Sequence, residues 1–165
     1  MASLVPELCP RCHGPTTRGF CAGCGGDFAP IISACRECGL PRPVARCPRA
    51  RGAWHVDALI APFVYSAPLA RQLLALKFDG ARALGRALGL LLVAELERRN
   101  LSADAVVPVP LHAARLRTRG YNQAAEIARS VAQELKIPLH VRGIRRVRAT
   151  AAQTTLELAD RSANV

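Results

Sequence analysis

The sequence predicts an α/β protein in which a cysteine-rich module precedes a domain built on a parallel sheet. Three observations predict it. All seven cysteines of the 165 residues lie between Cys9 and Cys47. From Asp57 onward, short apolar β-prone runs alternate with stretches of helical periodicity. Their order is strand, helix, helix, strand, helix, strand, the pattern of helices crossing over between parallel strands. The division falls at residues 1–52 and 53–165.

The cysteines are spaced Cys9-x2-Cys12, Cys21-x2-Cys24 and Cys35-x2-Cys38, with Cys47 following. A Cys-x2-Cys knuckle sets two thiolates on one side of a tight turn, as tetrahedral Zn²⁺ requires. Cys9, Cys12, Cys21 and Cys24 form a complete first set. Spacing alone also allows the first and third knuckles to share an ion. Cys35, Cys38 and Cys47 supply three ligands of a second set, with Ala50 where a fourth knuckle cysteine would fall. His55, a water, or no metal at all are the alternatives there. The odd cysteine count argues against a disulfide framework. A zinc ribbon of this kind is held by its metal and needs little core of its own.

In the second part, residues 58–65 (ALIAPFVY) read as a strand. Ser66 and Pro68 suit a helix cap and first turn. Leu69, Leu73, Leu76 and Phe78 continue as a helical stripe until Asp79-Gly80 breaks it. A second helix spans 81–99 on Leu84, Leu88, Leu91, Leu92 and Leu96. Residues 104–110 (DAVVPVP) read as a buried strand stopped by its prolines. An Arg-rich loop, LHAARLRTRGYNQ, leads into a helix over 122–136, and 137–141 forms a last strand. The tail 151–165 is polar, with helical character.

Ligands of parallel sheets bind beyond the carboxyl ends of strands. The loop after VPVP lies at such an end and holds Arg115, Arg117 and Arg119 at alternate positions, then Gly120, Asn122 and Gln123 at a helix start. Guanidinium groups and helix N-termini favour phosphate, so this loop is the candidate site for a phosphate-bearing ligand. The four histidines are scattered, and no nucleophile–base set emerges; no catalytic residue is assigned.

The net charge is +11. Two loaded zinc sites would lower it only to about +8 or +9. Lys77 and Lys136 are the only lysines, so the charge is almost wholly arginine and is partly compositional. No signal peptide is visible, and the longest apolar tract, around residues 87–94, is too short for a membrane helix, which takes roughly 20 residues. A cytoplasmic location follows as the expectation.

These motifs together resemble the ComF-type competence proteins of the phosphoribosyltransferase-like superfamily. The resemblance runs through the double zinc ribbon, FVYSAPLARQLLALKFDGARALGRALG, VPVPLHAARLRTRGYNQAAEIA and IRRVRATAAQTTLELADRSANV. It implies a phosphoribosyltransferase-like sheet domain behind a zinc finger. It implies handling of incoming single-stranded DNA alongside competence-machinery proteins, and it adds Arg145, Arg146 and Arg148 to the phosphate-binding set. The superfamily reaction displaces pyrophosphate from phosphoribosyl pyrophosphate with Mg²⁺. Its diagnostic loop pairs two adjacent acids with a Thr-Thr-Gly turn. Thr154-Thr155 has neither the acids nor the glycine, and the sequence stops at Val165. The expectation is therefore an incomplete sheet domain, truncated before that loop and inactive as a transferase. The alternative is a zinc-ribbon module that binds nucleic acid or docks a protein without enzymatic activity.

Overall fold

The computed structural model describes residues 7–43, 47, 56–150 and 157. Ala50, His55, Thr154 and Thr155 lie outside the described residues, as does the tail apart from Glu157. Described residues form a mixed α/β structure that is mostly helical. Strands β1 (Glu7–Leu8) and β2 (Pro15–Thr16) pair antiparallel, Glu7 opposite Thr16, around the first knuckle. Helix α1 (Ala22–Gly26) carries the second knuckle. Four more helices follow: α2 (Ala67–Phe78), α3 (Ala83–Arg98), α4 (Ala113–Arg119) and α5 (Gln123–Leu135).

The expected helix boundaries rest on visible chemistry. Ser66 is the extended N-cap of α2, with Pro68 in the first turn. Asp79 ends the helix, and Gly80, at φ +71°, takes the left-handed conformation that turns the chain toward α3. Asn122 caps α5 by accepting a hydrogen bond from the Ala124 amide at 3.0 Å.

The Arg-rich segment expected as a loop is instead helical over α4. Its residues, AARLRTR, are strong helix formers apart from Thr118. His112 caps it through Nδ1, which accepts from the Ala114 amide at 3.3 Å, and Gly120 at φ +82° closes it.

The expected strands pair less than their composition suggests. Among the described residues, 58–65 pair with neither 104–110 nor 137–141. They lie against the cysteine module, with an antiparallel bridge between Phe63 and Pro30. The Ile31 amide donates to the Pro62 carbonyl at 2.8 Å, and the Val64 amide to Ala29 at 2.9 Å. Pro62 has no N–H to extend a ladder. Residues 104–110 and 137–141 do run parallel, but they meet in a single bridge between Val106 and Leu139. Val106 donates to Pro138 at 2.8 Å and accepts from His140 at 2.9 Å. Prolines 108, 110 and 138 remove the donors a longer ladder would use. Val107, Val109, Val141, Ile144 and Val147 remain exposed around this pairing.

The core ignores the sequence division. Phe28 of the cysteine module, only 2% exposed, packs in one cluster with Leu69 and Leu76 of α2, Leu84 and Leu88 of α3, and Tyr121. Phe20 meets Phe28 edge-on, with ring centroids 4.9 Å apart. Burying such a ring contributes about 1.5–3 kcal/mol. Gly19 sits against the α3 backbone, where a Cβ would come within 3.1 Å of Ala87 Cα. Helices α3 and α5 also cross closely, at Gly85 and Gly89.

A buried carboxylate pins the end of α3 to the module. Glu95, 6% exposed, accepts from Arg98 at 2.7 and 2.8 Å and from Arg99 Nε at 2.6 Å. Arg99 also donates to the Ile31 carbonyl at 2.9 Å. The Arg98 hydrogen bonds, opposed by burial and helped by Arg99, hold the Glu95 carboxyl down to about 2. A depressed carboxylate stabilises above its unfolded pKa, and that stability is lost as pH falls toward the folded value. Glu95→Gln is therefore expected to cost about 1–3 kcal/mol at neutral pH, Arg98 being half exposed and screened. The gap to wild type should narrow by about 1 kcal/mol between pH 7 and pH 4. Urea unfolding of both proteins at the two pH values measures it; the cysteine thiols titrate alike in both and cancel. A gap that is constant or widens toward pH 4 would count against the pairing.

Candidate metal centres and arginine cleft

The four sulfurs of Cys9, Cys12, Cys21 and Cys24 lie within 4.8 Å of one another, with Cys12 and Cys21 3.6 Å apart. Tetrahedral coordination with Zn–S bonds of ~2.3 Å calls for sulfur–sulfur separations of ~3.8 Å. The cluster has that scale. Its local backbone explains how it forms. The Cys9 amide donates to Gly14 and the His13 amide to Cys9, each at 2.8 Å, closing the first turn. The Gly25 amide donates to Cys21 at 2.8 Å and closes the second. Burial raises the Cys9 thiol, but backbone N–H groups of Cys21, Arg11 and Cys12 outweigh it and bring it down to about 6. Burial pushes the Cys24 thiol up to about 12, with hydrogen bonds among the neighbouring sulfurs adding to it. Four thiolates this close repel one another unless a cation sits among them.

Cys35, Cys38 and Cys47 form a second group, again within 4.8 Å. Cys35 and Cys47 are 3.9 Å apart, and a Glu37 carboxylate oxygen lies 3.8 Å from the Cys47 sulfur. Hydrogen bonds from the Cys38 and Glu37 backbone lower the Cys35 thiol to about 7. The clusters follow chain order, so the interleaved arrangement that spacing allowed is not the one formed. Both groups could hold a metal ion such as zinc.

The module's arginines are partly spent on structure. Arg11 pairs with Asp27 at 2.5 Å and Arg18 with Glu134 of α5 at 3.2 Å.

The arginines proposed for phosphate separate into groups. On a helix, residues two apart point to different sides, whereas residues four apart share one. Arg115 and Arg119 therefore share a face of α4, and Arg117 is exposed on another. Arg115 donates to the Thr150 carbonyl at 3.2 Å, and Arg146 donates to the Thr150 hydroxyl. The two line a cleft of about 300 Å³ with His112, Thr118 and Ala149. Arg145 and Arg148 are exposed and do not line it. Arg119 donates to Gln123 Oε1 at 2.6 Å, and its pKa is lowered by burial and by the charge of Arg115. Gly120 ends α4, and Asn122 caps α5 while donating to the Val109 carbonyl at 2.9 Å. Gly120, Asn122 and Gln123 thus shape the turn beside the cleft and do not line it. The cleft also holds the hydroxyls of Thr118 and Thr150, which no motif in the sequence marks. The capping role of His112 exists only because α4 is a helix.

Among the described residues, no helix is long and apolar enough to cross a membrane. No protein-family model matches the chain, and no solved structure matches it. Curated proteins do. The chain is 32% identical over 174 residues to the DNA utilization protein YhgH of Salmonella typhimurium, covering 98% of this chain and 76% of that protein. It is 30% identical to the protein of the same name in Escherichia coli K12, with the same coverage. It is 28% identical over 178 residues to Competence protein F of Haemophilus influenzae, covering all of this chain and 76% of that one.

Proposed function

The chain belongs to the ComF-type competence protein family, and from that membership we propose that it binds single-stranded DNA in the cytosol as part of DNA utilisation. The observation that carries the reading is the convergence of Arg115 and Arg146, distant in sequence, on one cleft. Two guanidinium groups flanked by threonine hydroxyls suit a phosphodiester, with charge-assisted hydrogen bonds to its oxygens. Zn²⁺ in the two cysteine clusters is structural in this reading. The first would be held by Cys9, Cys12, Cys21 and Cys24, the second by Cys35, Cys38 and Cys47. The helical part, residues 53–165, is taken as phosphoribosyltransferase-like. In a relative that carries the donor loop, Mg²⁺ with phosphoribosyl pyrophosphate would be the natural ligand of such a domain. The activity proposed for these residues is binding.

Counterion release makes such binding salt-dependent, with a slope near 0.7 per phosphate contacted on a single strand. The Arg115→Gln, Arg146→Gln double variant is expected to flatten the slope of log K against log salt by roughly 1.4. Fluorescence anisotropy of a labelled oligothymidylate between low and moderate salt reads it. Wild-type binding indifferent to salt, or a slope unmoved in the variant, would sink the assignment of the cleft.

A further inference from the structure

We propose that Phe78 is a stacking platform for a nucleobase of the bound strand, with Lys77 and Arg119 holding the flanking phosphates. The proposal rests on the single-strand reading for its ligand class but concerns residues outside the cleft. Phe78 is the last residue of α2 and is 63% exposed. The chain turns away immediately at Asp79 and Gly80, so no apolar side chain of the turn closes over the ring, and two cations lie against it. The Lys77 ammonium lies 4.9 Å from its centroid and the Arg119 guanidinium 5.5 Å.

An exposed phenylalanine alone carries no meaning, but its rim does. Neither Lys77 nor Arg119 has a carboxylate partner among the described residues. Asp79 is the one acid in the adjoining turn, and the two cations outnumber it. Arg119 is held in place by Gln123, so its charge is fixed before any ligand arrives. A protein partner burying an apolar side chain would have to desolvate these two cations or neutralise them. A single strand supplies an aromatic face and two anions in the same repeat.

The platform is continuous with the cleft. Arg119 and Arg115 are about one turn apart on α4, about 6 Å along the axis, comparable with the span of one nucleotide in an extended strand. A strand crossing this face of α4 would pass Phe78, then Arg119, then Arg115 and Arg146. Tyr121, the aromatic within the Arg-rich segment, does not compete. It is buried, and its hydroxyl donates to the Leu76 carbonyl.

The test uses the full metal-loaded chain and two labelled probes of equal length, an oligothymidylate and an abasic deoxyribose-phosphate strand. Phe78→Ala is expected to weaken oligothymidylate binding about tenfold with an unchanged salt slope. It should leave binding of the abasic strand at the wild-type level. Phe78→Trp, which keeps a π-face, should retain or tighten oligothymidylate binding. Because the ring is exposed, the thermal midpoint of both variants should match wild type, which separates a lost platform from a damaged fold. Wild-type affinity of Phe78→Ala for oligothymidylate, or an equal loss on both probes, overturns the platform while leaving the arginine cleft standing. If the wild-type chain binds neither probe, the single-strand reading fails and the platform with it.

Discussion

Removing the metal from the Cys9, Cys12, Cys21 and Cys24 cluster is expected to unfold more than the ribbon that carries it. A structural zinc contributes apparent folding free energy of about 10–16 kcal/mol, comparable with or larger than the ~5–15 kcal/mol stability of a whole domain. The ribbon here also shares its apolar cluster with the helices. Without the knuckles, Phe28 would leave its place among Leu69, Leu76, Leu84 and Leu88. The Arg99 bond to Ile31 and the seat of Gly19 against Ala87 would go with it. Titration with a strong chelator, followed in parallel by metal release and far-ultraviolet circular dichroism, should show helical signal falling as metal leaves. Cys24→Ser should reproduce the loss without chelator. Full helical signal after complete metal release would show that the helices stand alone.

Gly89→Leu is expected to be the most damaging single change in the helical part. A Cβ built at Gly89 would lie 2.7 Å from the Ile127 carbonyl oxygen and 2.7 Å from Ser130 Cβ. At Gly85, one turn earlier, it would lie 2.6 Å from Glu126 Cβ. Two glycines four residues apart therefore let the α3 and α5 backbones approach to a distance no larger side chain allows. Alanine would gain about 1 kcal/mol of helix propensity over glycine. The obstacle at Gly89 includes a main-chain carbonyl that cannot rotate aside, so strain wins. Overpacking costs about 1–3 kcal/mol, and a branched side chain against backbone belongs at or above the top of that range. The expected fall in thermal midpoint is roughly 10 °C, read by differential scanning calorimetry against Gly23→Ala, where a Cβ meets nothing within 4 Å. A leucine variant melting with wild type would refute the close crossing.

Much of this was legible where chemistry is local. The knuckle spacings gave two clusters, and Ser66, Pro68, Asp79, Gly80 and Asn122 marked helix ends because caps and turns are read over a few residues. Pairing was harder to read. The run 58–65 has strand composition, but its partner is Pro30 in the cysteine module, and composition does not name a partner. Helix α4 is encoded in AARLRTR between His112 and Gly120, but arginine at alternate positions is equally compatible with an exposed loop. Once it is a helix, the choice of Arg115 and Arg119 over Arg117 follows from geometry. Arg146 joins Arg115 only through the return of the chain at Thr150. Phe78 reads as the last member of an apolar stripe, yet α2 ends there and the ring stays largely exposed. Whether a periodic residue is buried depends on where the opposing surface stops.

The shared apolar cluster also sets an order of events during synthesis. Chains emerge from the ribosome amino end first, at about 5–20 residues per second. All the cysteines, Phe20 and Phe28 are out before α2 has been made. Their knuckles close locally and can take up metal at once. The ring of Phe28 has no such local partner. It waits for Leu69 and Leu76, then for Leu84 and Leu88, and last for Tyr121. With metal in its first cluster, the nascent chain would be a closed ribbon with an unsatisfied apolar face. A chaperone acting on this protein would find its target there, at Phe28, until Tyr121 has joined the cluster.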